Sequence, residues 1–279
     1  MLEGGAMRGL FTAGILDVLM EAGVTFDGVI GVSAGAAFGA NYKSGQAGRV
    51  LRYNLRFAKD KRFCSLRSLL KTGDLYGGEF CYHTLPEKLD LMDAETYNSS
   101  PMKFYCVCTD ADTAAPVYHD LDRLDHDSLE WVRASASMQA VSKPVVIEGR
   151  RLLDGGIADP VPVDFFRAIG YRRPVVILTQ PKGYRKKPQA GMPVLKQLLK
   201  EYPAIAEGLA NRHELYNRIM DKIDALEEQG EIFVMRPASR IKAGRTEHDR
   251  SVIREVYLEG RKAAEAYLPQ LQAFLQETA

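Results

Sequence analysis

Residues 24–40 read VTFDGVIGVSAGAAFGA, and within them Gly31-Val32-Ser33-Ala34-Gly35 is the pattern G-x-S-x-G. The run before Ser33 is short and apolar, as a buried strand would be. The run after it consists of small residues, which suits a closely packed helix. A strand passing into a helix through this pattern constrains the fold strongly. It lifts Ser33 above the sheet edge on a sharp turn, and the flanking glycines keep other side chains away. The helix that follows aims its free amides and positive dipole at the serine. That placement suits a nucleophile or a bound anion, and a tight structural turn would ask for the same residues.

The rest of the chain alternates helix and strand signals. Leu10, Phe11, Ile15, Val18, Leu19 and Ala22 recur at helical spacing, with Gly23 as a stop. Residues 102–109 (MKFYCVCT) and 174–180 (PVVILTQ) read as buried strands. Residues 128–138 read as a helix, and 145–153 as a hairpin turning at Glu148-Gly149. Strands separated by helices imply a mainly parallel sheet covered on both faces. After residue 181 the pattern changes. Residues 182–188 (KGYRKKP) form a basic loop, read as a solvated connection ahead of an anion-binding role. Helical segments follow at 194–201, 204–229 and 248–276, with one strand at 232–235. Leu215, Ile219, Ile223 and Leu226 make an apolar stripe for packing. The expected organisation is a sheet domain, 1–181, carrying a mostly helical extension, 182–279.

Composition narrows the function classes. The chain has 279 residues, with 37 Lys+Arg against 36 Asp+Glu. A net charge of +1 argues against nucleic acid as partner. No apolar run approaches the ~20 residues needed to span a bilayer. The first residues are not a basic segment followed by an apolar one, so no secretory leader is expected. Cys64, Cys81, Cys106 and Cys108 are too scattered for a disulfide scaffold and point to a reducing compartment. Cys106 and Cys108 share one strand face and read as core rather than metal ligands.

Two further motifs carry chemistry. Gly4-Gly5-Ala6-Met7-Arg8-Gly9 precedes the first helix, where free backbone N–H groups can bind a phosphate or an oxyanion developing during acyl transfer. Gly4, Ala6 and Gly9 fit a dinucleotide fingerprint with one substitution, but the next strand ends in Gly31-Val32-Ser33 rather than the acidic residue that fold requires. Arg8 reads equally as a fixed charge facing an anion and as a surface residue. Asp154-Gly155-Gly156 follows the hairpin; alone it reads as a turn. Together, the three motifs supply a nucleophile, a proton acceptor and an oxyanion site.

In the order and spacing of these motifs, residues 1–181 resemble the patatin-like phospholipase family; residues 133–138 (RASASM) and 159–163 (DPVPV) add to the resemblance. It implies a three-layer α/β/α sandwich with a mainly parallel central sheet. It also implies hydrolysis of lipid acyl esters, of phospholipase A or lysophospholipase type, by a Ser–Asp dyad without metal or other cofactor. Ser33 would be the nucleophile, Asp154 the base, and the amides of Gly4, Gly5 and Ala6 the oxyanion hole, with Arg8 at the loop's basic position. The implied partners are a lipid acyl ester and, transiently, a membrane surface. The helical tail resembles extensions on bacterial members and implies a bacterial cytoplasmic protein, peripheral at the inner membrane surface. Two departures stand out: Ala6 occupies a position where glycine is usual, and only Met1-Leu2-Glu3 stand where the family's first strand runs, so that strand is very short or begins upstream.

Two rival readings compete with the dyad. A Ser–His–Asp esterase would use His213 or His248, both in charged stretches where a solvated histidine is the more ordinary residue. A non-catalytic lipid- or anion-binding module would keep the fold without the chemistry. His83, His119 and His126 read as loop residues without a role. Residues 65–91 are expected to border the acyl pocket.

Overall fold

The structure, a computed structural model, describes residues 1–276; the last three residues of the expected extension lie outside them. At its centre β1 (Gly28–Val32) pairs in parallel with β2 (Lys103–Asp110), Val32 lying opposite Val107. On the other side of β1 runs the segment ahead of the glycine loop. Leu2 N donates to Ile30 O at 2.9 Å and Val32 N to Leu2 O at 3.1 Å. Leu2 also bridges to β6 (Val175–Ile177), which pairs in parallel with β7 (Phe233–Met235). One residue of regular pairing thus joins both halves of the sheet, and all five neighbouring segments run parallel. The antiparallel members lie around β2: β3 (Pro116–Asp120), and the hairpin of β4 (Val145–Ile147) with β5 (Arg150–Asp154). That hairpin turns at Glu148 (φ 51°) and Gly149 (φ 76°), the two positive φ values of a tight β-turn.

The helices are α1 (Gly9–Glu21), α2 (Ala34–Lys43), α3 (Arg49–Phe57), α4 (Leu66–Thr72), α5 (Ala94–Ser99), α6 (His126–Ser135), α7 (Val163–Ala168), α8 (Met192–Leu198), α9 (Pro203–Glu228) and α10 (Arg250–Gln276). Side chains alternate across the pleat and so define two cores. Phe104, Cys106 and Cys108 of β2 face a core shared with α1, α2, α6 and α10. Ile30, Val32 and Val107 face the opposite core, built with α7 and α9. The result is the expected three-layer sandwich with a mainly parallel sheet. The cysteines are free thiols, and Cys106 and Cys108 are fully buried.

The extension is woven into this sandwich. It supplies β7 to the sheet, α9 to one face and α10 to the other. α10 crosses α1 at glycines: a Cβ on Gly14 would fall 2.1 Å from Tyr257 O, and one on Gly260 2.0 Å from Phe11 O. Only glycine permits that approach. On α9 the buried face is Ile205, Leu209, Tyr216, Met220, Ile223 and Leu226. Of the stripe expected at Leu215, Ile219, Ile223 and Leu226, the last two are buried, whereas Tyr216 and Met220 are buried in place of Leu215 and Ile219, which are only partly so. Among the described residues no helix is long and apolar enough to cross a membrane.

Candidate active site

Ser33 lies between β1 and α2 with φ 56° and ψ −122°, a backbone conformation rare for a residue bearing a Cβ. Two contacts hold it there. A Cβ on Gly35 would fall 2.4 Å from Leu2 O, so the start of α2 can sit directly on the Leu2 segment only because that position is glycine. Ser33 N donates to Ser135 Oγ at 2.9 Å, and Ser135 Oγ donates to Val107 O at 2.7 Å. Ser135 is fully buried at the end of α6. The start of that helix is fixed by a capping box, Ser128 N on Asp125 Oδ1 and Asp125 N on Ser128 Oγ. In the sequence Ser135 is one of several small residues in RASASM, with nothing to single out its hydroxyl. Ser135→Ala would leave a buried amide and a buried carbonyl without this partner. We expect a loss of about 1–3 kcal/mol in denaturant-monitored stability; an unchanged midpoint would mean the elbow does not lean on Ser135.

Asp154 arrives from the opposite direction. β1 ends with Val32 opposite Val107, and β5 ends with Asp154 opposite Cys108, the next residue of β2. The two strands run toward each other along one edge of β2, so their carboxyl ends meet. Asp154 is anchored by its backbone, N to Ser137 O at 2.9 Å and O from Thr109 Oγ1 at 2.8 Å. Its Oδ1 accepts from Gly156 N at 2.8 Å. Ser33 and Asp154 line the same cavity, and among the described residues no hydrogen bond joins Ser33 Oγ to the carboxylate.

The histidines lie elsewhere. His213 Nδ1 meets Ala210 O at 3.0 Å and His248 Nδ1 meets Ala58 O at 2.7 Å. His83, His119 and His126 are not the loop residues expected. His83 is buried within a wide-turned helix, Phe80–Leu89, His119 stacks on Trp131 from β3, and His126 opens α6. No histidine lines either cavity that Ser33 borders. His83, Glu87 and His126 bring ligand atoms within 4.8 Å of one another. Hydrogen bonds already engage them: His83 Nε2 with Glu130 at 2.6 Å, and His126 Nδ1 with Glu87 at 2.7 Å.

The glycine loop lies beside Ser33. A Cβ on Gly4 would fall 2.9 Å from Ser33 Cβ. Among the described residues, Gly4 and Gly5 N–H find no protein acceptor. Ala6, where glycine is usual, takes φ 48°. Arg8 borders the cavity that holds Ser33 and Asp154, and its Nε is buried without a hydrogen-bond partner.

Ser33 and Ala6 border two cavities of opposite character. One is apolar, running past Phe38, Tyr53, Phe63, Tyr82, Leu85 and Met92. Residues 76–86 contribute to its wall, whereas Leu66, Leu70 and Leu91, also within the expected 65–91 stretch, are 72%, 87% and 63% exposed. The other cavity, of about 380 Å³, is lined by Arg8, Lys186, Arg212, Arg240 and Arg245, with Glu3 and Asp154. Arg212 comes from α9, and its Nε donates to Gly156 O at 2.6 Å. A Cβ on Gly156 would lie 2.9 Å from Arg212 Nη2 and 3.0 Å from Asp154 Oδ1, so cation and carboxylate approach one point. Burial pushes the Arg212 guanidinium below its usual range, and Asp154 opposes that shift. The basic loop divides: Lys182 pairs with Glu227 and Arg185 with Asp221 at the surface, while Lys186 turns inward over the Tyr216 ring. Burial first, then the nearby Arg212, Arg8 and Arg245, push the Lys186 amine down to about 8, against the pull of Glu3.

A mainly parallel sheet clad by helices, with a serine on a strained strand-to-helix elbow and an aspartate at the meeting strand end, defines a three-layer α/β protein with its candidate site at the carboxyl ends of the strands. The chain belongs to the patatin-like phospholipase family, whose model matches residues 1–167. Residues 202–276 match a domain of unknown function, DUF6363. The uncharacterized protein YjjU of Escherichia coli is 30% identical over 192 residues, covering 67% of this chain and 53% of YjjU. Lysophospholipase nte1 of Aspergillus fumigatus is 29% identical over 175 residues, covering 61% of this chain and 11% of that protein. The chain therefore spans about half of one relative and about a tenth of the other. VipD from Legionella pneumophila aligns in structure over 95% of this chain and 66% of its own, with a TM-score of 0.42 and 12% identity.

Proposed function

We propose that this protein hydrolyses fatty acyl esters of lipids, in the manner of a phospholipase A or lysophospholipase. The observation that carries the reading is that Ser33 stands where an apolar and a cationic cavity meet. An amphiphile fits such a junction with its acyl chain on one side, its polar group on the other and its ester at Ser33. Ser33 Oγ attacks the carbonyl, and Asp154 takes the serine's proton and returns it to the leaving alcohol. The amides of Gly4, Gly5 and Ala6 receive the developing oxyanion. Water then cleaves the acyl-enzyme, with Asp154 again as base. No metal or other cofactor enters these steps.

Residues 1–181 act here as the catalytic unit and 182–279 as a helical extension; the matches at 1–167 and 202–276 fall inside that division. Transient contact with a membrane surface belongs to the same reading, supported by the exposed Leu66 and Leu70, one turn apart on α4. A bacterial cytoplasmic location, peripheral at the inner membrane surface, is in keeping with the match to YjjU of Escherichia coli. The test is turnover on a panel of acyl esters differing in head group and chain length. Hydrolysis of long-chain lipid esters in preference to short soluble ones is the expected result; no turnover of any member would overturn the proposal.

A further inference from the structure

The cationic cavity holds more positive charge than the proposed chemistry needs. Arg8, Lys186, Arg212, Arg240 and Arg245 line it against two carboxylates, Glu3 and Asp154. Glu3 is already engaged by neutral donors: Thr179 N at 2.5 Å, Thr179 Oγ1 at 3.0 Å and Tyr216 Oη at 2.8 Å. Among the described residues none of the five cations makes a salt bridge with a carboxylate, although twelve or more other ion pairs are formed across the molecule. Arg8 Nε is buried with no acceptor. Arg8, Lys186 and Arg212 are half-buried and the exposed Arg240 and Arg245 close the outer side; gathering like charges about a half-buried amine is unfavourable unless an anion joins them. The cavity opens directly on Ser33 and the glycine loop, so the anion and the scissile ester belong to one molecule.

We propose that these five residues form a phosphate-binding subsite, and that the substrate is an acyl ester whose head group is a phosphate with no compensating cation. The inference rests on the hydrolase reading and goes beyond it by naming the head group. Four of the five cations lie beyond the residues matched by the family model: Lys186 in the basic loop, Arg212 on α9, and Arg240 and Arg245 between β7 and α10. The extension thereby acquires a task, to complete the head-group side of a site whose ester side is built by residues 1–167. Guanidinium groups suit phosphate through paired N–H donors. A choline head group would carry a quaternary ammonium into a chamber already short of negative charge, and is disfavoured for that reason.

Two arms test this on the full chain. In the first, calorimetry measures binding of sn-glycerol 3-phosphate, inorganic phosphate and glycerophosphocholine. Glycerol 3-phosphate should bind best; Arg245→Gln and Arg240→Gln should each weaken it on the order of 10–100-fold, and Arg245→Lys should recover part of the loss. In the second, kcat/KM is compared for a monoacylglycerol, the same ester bearing a 3-phosphate, and the same ester bearing phosphocholine. The phosphate ester should be preferred, with the preference falling mainly through KM in Arg245→Gln. Binding of glycerol 3-phosphate without turnover of any ester would sink the hydrolase reading and leave the subsite standing. Turnover with no preference for phosphate and no glycerol 3-phosphate binding would do the reverse. Inorganic phosphate binding as tightly as glycerol 3-phosphate, with no preference among esters, would overturn the head-group assignment.

Discussion

Replacing Ser33 with alanine should abolish fluorophosphonate labelling and lower acyl-ester hydrolysis on the order of 10³-fold or more, because the covalent route disappears. The fold should hardly notice. Among the described residues Ser33 Oγ makes no hydrogen bond, and the contact that secures the elbow, from Ser33 N to Ser135 Oγ, belongs to the backbone. Alanine has the same Cβ and meets the same strain at φ 56°. A change in unfolding free energy within about 0.5 kcal/mol is therefore expected. Stability intact and chemistry gone is the signature of a side chain present for reaction rather than packing. Labelling at another serine, or full turnover in the variant, would remove Ser33 from the mechanism; no labelling and no turnover in the unaltered protein would leave the binding-module reading in its place.

Much of the architecture was legible because it depends on local pattern. The passage from an apolar strand to a small-residue helix is set by residues 28–43 themselves, and the hairpin at Glu148-Gly149 by two residues that accept positive φ. What was not legible depends on where distant segments land. Ser135 reads as one more small residue in RASASM; only the approach of α6 to the end of β1 makes its hydroxyl an anchor. The basic loop read as a solvated connection, which suits Lys182 and Arg185. It fails for Lys186, because Tyr216 on α9 offers a ring to cover. Arg212 carries no distinguishing mark in the charged stretch Asn211-Arg212-His213-Glu214. Yet Arg212 stands three residues after Leu209 and four before Tyr216, half-buried at the margin of that apolar face. A charge placed there needs a partner inside the protein or a ligand, and that was the available signal.

The choice between dyad and triad turns on which group holds the serine's proton. We expect Asp154→Asn to lower turnover on the order of 10²–10⁴-fold, the worth of a general base, while His213→Gln and His248→Gln each keep most of it. Asparagine can preserve the local frame. Its side-chain carbonyl can still accept from Gly156 N, as Asp154 Oδ1 does at 2.8 Å, and the backbone bonds to Ser137 O and Thr109 Oγ1 are untouched. It cannot take a proton productively, so packing should survive while chemistry stops. In a triad the aspartate orients an imidazole that does the transfer, and losing that imidazole is ruinous. Here neither histidine borders the cavity shared by Ser33 and Asp154, and each engages a backbone carbonyl elsewhere. The dyad asks one more thing of the geometry. Ser33 Oγ and the carboxylate, not hydrogen-bonded in this structure, must close to roughly 2.6–3.2 Å once an ester is seated, a tightening common when substrate binds. A structure of the full chain with a phosphonate bound at Ser33 would measure that approach. A carboxylate oxygen still out of reach of the serine oxygen, or collapse of turnover in either histidine variant, would refute Asp154 as the base.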